Sequence, residues 1–167
     1  LQRYTGQPDI RVGVPVANRH RVEIENVVGL FVNTQVLRTV IDDRMSLRAI
    51  LEQTREAALG AQTYQDLPFD QLVEALQPER SLHQNPLFQI MFNHMREDYR
   101  ALQQLPGLAV EESELGEHGA QFELMLDTIE KPGGLIEARF TFAEELFERQ
   151  SIERLSRQYA DLLRQLI

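Results

Sequence analysis

At Ser46 the hydrophobic period of the chain changes, and that change limits the folds open to it. Before it, Ile10 to Ala17 (IRVGVPVA) and Phe31 to Leu37 are apolar, Val-rich runs of strand length. After it, Leu47, Ile50, Leu51, Thr54, Ala58 and Ala61 recur on one helical face, with Ser46 placed to cap them, and the spacing predicts a helix ending around Gln62-Thr63. A chain that changes period in this way must bury a helix stripe against a sheet.

The remaining pattern extends that layout. Asp66-Leu67-Pro68-Phe69 supplies a cap and a proline for a short helix carrying Leu72, Val73 and Leu76, which Pro78 stops. Pro86 to Phe92 (PLFQIMF) reads as a strand, and Leu108 to Val110 as another short one. Phe122 to Ile129 and Leu135 to Phe142 flank Lys131-Pro132-Gly133-Gly134, a hairpin. Ser151 opens an amphipathic helix with Ile152, Leu155, Tyr159, Leu162, Leu163 and Leu166 on one face. The class is α/β or α+β around one sheet, taken as α/β with a mixed sheet and flanking helices, and residues 1–167 fit one domain or one lobe of a larger, then partial, domain. Residues 19–27, without a turn signal, read as a loop laid across a surface, and Pro15 puts its strand near an edge or a strand end.

Charge and composition exclude several functions. A net charge of −9 argues against a surface that tracks phosphates. The acidity is uneven: residues 1–60 hold eight arginines against seven acids, and the rest nine basic residues against nineteen acids. With no cysteine there is neither a disulfide nor thiol chemistry on the chain, and no apolar run approaches the roughly 18 residues of a membrane span. These features fit a cytoplasmic location. The start, LQRYTGQ, resembles the last turn of a helix with a Thr-Gly exit, as in a piece of a longer chain.

No catalytic constellation is visible. His20, His83, His94 and His118 stand apart with no metal-ligand spacing, and they read as surface or loop residues. There is no GxSxG, no GxGxxG after a strand and no phosphate-binding loop. The acidic pairs Asp42-Asp43, Glu111-Glu112 and Glu144-Glu145 are neighbours in sequence, which suits solvated charges better than acid/base partners. The oddity is Asn33, an amide in the middle of the strand-like VGLFVNTQVLR (Val28 to Arg38). A polar group among Phe, Val and Leu needs hydrogen bonds, a bulge or a function.

Four motifs in order carry a resemblance: VGVPVANR (Val12 to Arg19), VGLFVNTQVLR, TYQDLPFDQLVEAL (Thr63 to Leu76) and NPLFQIMFN (Asn85 to Asn93). With the tail FELMLDTIE, GLIEARFTF, ELF and SIERL, they resemble the later part of the condensation domains of nonribosomal peptide synthetases over nearly the whole chain. The resemblance implies a chloramphenicol acetyltransferase-like lobe, the C-terminal half of a two-lobed domain with its active site in a channel between lobes. It implies amide formation between a donor acyl or peptidyl thioester and an acceptor aminoacyl thioester. The family signature HHxxxDG belongs to the first lobe, and this chain has no adjacent histidines, so no catalytic residue and no activity are expected of it alone.

What the resemblance assigns here is a wall of the channel, a floor loop at 19–27, and carrier-protein contacts. Arg19, Gly29, Asn33, Thr34 and Asn85 are candidate channel residues, and Tyr64 and Leu67 candidate contacts to the acceptor carrier. Each keeps a plainer reading. Asn33 and Thr34 could instead satisfy backbone groups, Arg19 form a surface salt bridge, Asp66 and Pro68 start a helix, and Asn85-Pro86 form a turn. The implied partners are the preceding lobe, donor and acceptor carrier proteins bearing phosphopantetheine, and an adjacent adenylation domain; no cofactor or metal is expected on the chain itself. A lobe of an epimerization domain, or of an inactive domain that recruits another protein, is the alternative.

Overall fold

The computed structural model describes residues 1–167 except 79–84, 101–104, 112, 114–118 and 167, so His83, His118 and Glu112 lie outside the described residues. The chain divides into two units, Leu1–Phe92 and Asn93–Ile167.

The first unit opens with a single turn, α1 (Gln2–Thr5), which ends at Gly6 with φ 68, the left-handed exit glycine allows. Strand β1 (Asp9–Val16) pairs antiparallel with β2 (Asn33–Val40), and beyond two further helices the chain returns as β3 (Ile90–Arg96), parallel to β1 at Val12 and Gly13. Antiparallel and parallel neighbours on one strand make this a mixed sheet. Pro15 lies at the strand's end, past the residues registered with β3, where its missing N–H interrupts no ladder bond to that strand. Between β1 and β2 the expected loop carries a helical turn, α2 (Val22–Glu25).

Helices α3 (Leu47–Thr63) and α4 (Phe69–Leu76) lie against β2. Ser46 caps α3, its Oγ accepting from the Ala49 N–H at 3.2 Å. The protected line of α3 is Ala49, Gln53, Ala57 and Ala61 with Ile50, whereas Leu51, Thr54 and Ala58 face water. The expected face is therefore displaced: small alanines at four-residue spacing allow the helix to approach the strand, and the larger Leu51 does not. The core of this unit is Leu87, Phe88 and Met91, with Phe88 only 1% exposed. Phe88 needs Gly13 opposite it, because any Cβ there would collide with the Phe88 ring.

In the second unit the later residues of β3 stand beside β4 (Leu124–Glu130), joined by the Asn93 to Asp127 and Arg96 to Glu130 side-chain contacts. Strand β4 forms the expected hairpin with β5 (Ile136–Phe142), closed by Lys131 N–H to Leu135 O at 2.8 Å, with Gly133 and Gly134 at φ 98 and 85. Helix α5 (Arg149–Leu166) starts two residues before Ser151; it buries Ile152 and sets Tyr159 edge-on to Phe140 at 6.0 Å. Its outer turns leave Leu162, Leu163 and Leu166 partly exposed. Leu108 to Val110 is not a strand: the three residues are irregular and Leu108 is exposed. Three apolar residues without alternation are too weak a signal for one.

Candidate functional site

Asn33 is the first residue of β2 rather than its middle. The segment before it has strand composition but no ladder, and Val28 and Leu30 are 99% and 92% exposed. The Asn33 amide reaches the connection between α3 and α4. Its Nδ2 donates to Gln65 O at 3.1 Å and Leu67 O at 2.8 Å, and its Oδ1 accepts from the Phe69 N–H at 3.2 Å. Both donor hydrogens are thereby used. Helix α4 begins after Pro68, which supplies no side-chain cap, so the acceptor for its first N–H comes from a different element. The Phe69 ring then lies edge-on to Phe88 at 5.8 Å, carrying the contact into the core.

Asp66 does not initiate the helix as expected. The acceptor at the Phe69 N–H is Asn33, and the Asp66 carboxylate instead meets His20 Nε2 at 3.1 Å. Gln35, two residues along β2 on the same face as Asn33, donates from Nε2 to Ala61 O at 2.5 Å at the end of α3. The two amides together hold the helical layer to the strand. Their i, i+2 spacing is visible in the sequence and is the signal that could have found Gln35, which the sequence reading misses.

Arg19 forms no salt bridge among the described residues. Its Nη1 donates to Ile24 O at 2.6 Å, Val27 O at 2.8 Å and Glu25 O at 3.4 Å, its Nη2 to Gly29 O at 3.2 Å, and its guanidinium lies 4.2 Å over the Phe31 ring. One side chain thus folds residues 19–31 around itself, the planar fork matching several carbonyls at once. At Gly29 a Cβ would sit 3.1 Å from Phe31 Cε2, a tight approach that the ring would have to yield to. Thr34 is in the ladder opposite Pro15.

Asn85 forms a local turn: its Oδ1 accepts from the Leu87 N–H at 3.2 Å, and its carbonyl accepts from Gln89 Nε2 at 3.2 Å. Tyr64 closes α3 and is 74% exposed, and Leu67 follows it in the turn at 45%. Among the described residues no group of three or more His, Cys, Asp or Glu could hold a metal, and no helix is long and apolar enough to cross a membrane. Of the candidates, the structure brings Asn33, Tyr64 and Leu67 to one place, with Arg19 in the adjoining loop through His20 and Asp66. Asn85 belongs to a separate turn.

Comparison with known proteins gives the family. The family model for the condensation domain matches residues 1–167. One of the linear gramicidin synthase proteins of Brevibacillus parabrevis is 43% identical over 98% of this chain and 2% of its own length. Malpinin synthetase of Mortierella alpina is 40% identical over 92% of this chain and 2% of its own. The chain thus spans a few per cent of these relatives. Among solved structures, a holo four-domain nonribosomal peptide synthetase bound to AMP and glycine matches with a TM-score of 0.80 at 25% identity, over 91% of this chain and 13% of that one. The X-domain from teicoplanin biosynthesis shares the fold, with a TM-score of 0.81 at 22% identity over 93% of this chain and 36% of that one. On the full-length family match and these relatives, the chain belongs to the condensation domain family.

Proposed function

We propose that this chain is the C-terminal lobe of a condensation domain in a cytoplasmic nonribosomal peptide synthetase, and that with the preceding lobe it forms amide bonds. The observation that carries the reading is the family match over residues 1–167, supported by relatives that are synthases or synthetases by name and by the likeness to a nonribosomal peptide synthetase structure. In the reaction, the acceptor amine attacks the donor thioester carbonyl, the C–N bond forms, the C–S bond breaks, and the amine proton ends on the departing thiol. Both thioesters arrive on phosphopantetheine arms of carrier proteins, so that group is substrate here. HHxxxDG is contributed by the preceding lobe.

The chain's own part is positioning. Holding amine and thioester in register is worth an effective molarity of about 10⁵ M or more, and a rigid wall is what such holding requires. Arg19 and Gly29 shape the floor loop, Thr34 and Asn85 line the wall, and Tyr64 and Leu67 meet the acceptor carrier. Asn33 serves the channel from behind, by fixing the turn that bears Tyr64 and Leu67; its bonded amide supports that role over direct substrate contact.

The test is mass spectrometry of the complete domain with loaded donor and acceptor carriers. An amide-linked product on the acceptor is expected. A donor residue inverted at its Cα with no amide formed would move the chain to the epimerization reading, and neither change would favour recruitment.

A further inference from the structure

We infer that His20 and Asp66 are positioning residues that tie the 19–31 loop to the α3–α4 connection, so that docking of an acceptor carrier protein at Tyr64 and Leu67 and ordering of that loop are one coupled event. The inference rests on the carrier-facing role proposed above for Tyr64 and Leu67.

The connection is gripped twice. From β2, Asn33 holds the backbone on both sides of Asp66, at Gln65 O and Leu67 O. From the loop, His20 Nε2 holds the Asp66 side chain itself at 3.1 Å. His20 is also joined to the rest of its loop at short range, because the neighbouring Arg19 binds four carbonyls between Ile24 and Gly29 and stacks on Phe31. The loop is therefore organised internally by Arg19 and attached to the connection by His20. A partner that presses on Tyr64 or Leu67 acts on the residues flanking Asp66. Any preference it has for one arrangement of the connection is shared with the loop, and the coupling is reciprocal. Both side chains of the tie are exposed, His20 at 37% and Asp66 at 76%, which suits an adjustable link better than a fixed strut.

The experiment uses the complete condensation domain with its acceptor carrier, reading amide hydrogen exchange over residues 22–31 and steady-state kinetics in parallel. In the wild type, carrier binding slows exchange in 22–31, and in His20→Ala and Asp66→Ala that protection is lost. Each variant raises KM for the carrier-bound acceptor on the order of threefold, with kcat little changed and with a smaller rise in KM for a small aminoacyl thioester offered without a carrier. The double variant is no worse than either single, and His20→Lys, which keeps a side-chain N–H donor for Asp66, recovers most of the loss.

Protection of 22–31 that is absent in the wild type, or that survives in both alanine variants, overturns the inference while leaving the amide-forming function standing. So do strictly additive effects in the double variant. Wild-type domain that forms no amide from loaded carriers removes the functional reading, and the inference falls with it.

Discussion

Asn33 caps helix α4 from another element: its Oδ1 accepts the Phe69 N–H at 3.2 Å, across 36 residues of sequence. Since its Nδ2 also holds Gln65 O and Leu67 O, replacing it strands three backbone groups at once. Asn33→Ala should therefore cost about 1–3 kcal/mol. Thermal melting checks this, and activity of the complete domain should fall together with melting temperature. Lost turnover at unchanged stability would return Asn33 to the channel.

Arg19→Lys should loosen residues 20–31 although it keeps the charge. An ammonium cannot span carbonyls from Ile24 to Gly29 while lying flat on Phe31. Hydrogen exchange in that segment should quicken in Arg19→Lys nearly as much as in Arg19→Ala, with the rest of the first unit unaffected. Exchange restored to the wild-type rate by lysine would mean that charge alone matters there.

Gly13→Ala should destabilise the first unit by about 1–3 kcal/mol, because the new methyl meets the buried Phe88 ring. Phe88→Leu in the same chain should recover part of that loss by vacating the space. Non-additivity in a melting series is the readout.

Glu123 provides a pH test. Burial pushes its carboxyl pKa up, and its Oε1 is buried with no partner among the described residues. A folded pKa above the unfolded one means that the contribution is fully present below the unfolded value and lost as pH rises through the folded value. At neutral pH the charge is thus a cost. Glu123→Gln should melt higher than wild type near neutrality, and the difference should close as pH falls to about 4.

Where the sequence was legible, local physics agreed with the tertiary answer. The hairpin followed from alternation on both sides of Gly133-Gly134, and α3 from its period and the Ser46 cap. Val28 to Val32 misled because its apolar composition is that of a strand, whereas Leu30 and Val28 stand in water. Arg19 was opaque for a different reason. Its partners are backbone carbonyls, which every residue possesses, so no residue type marks them in advance. Asp66 stood in a helix-start motif, yet the cap arrived from Asn33, and only the fold brings those two segments together.

The central claim, that this chain is the structural half of an amide-forming site, is tested most directly by reconstitution. The chain is mixed with the separately expressed preceding lobe and two loaded carrier proteins, and the acceptor is weighed by intact-protein mass spectrometry. The account predicts amide-linked product only when both lobes are present. Product from this chain alone, or tight association of the lobes with no product across several loaded substrates, would contradict it.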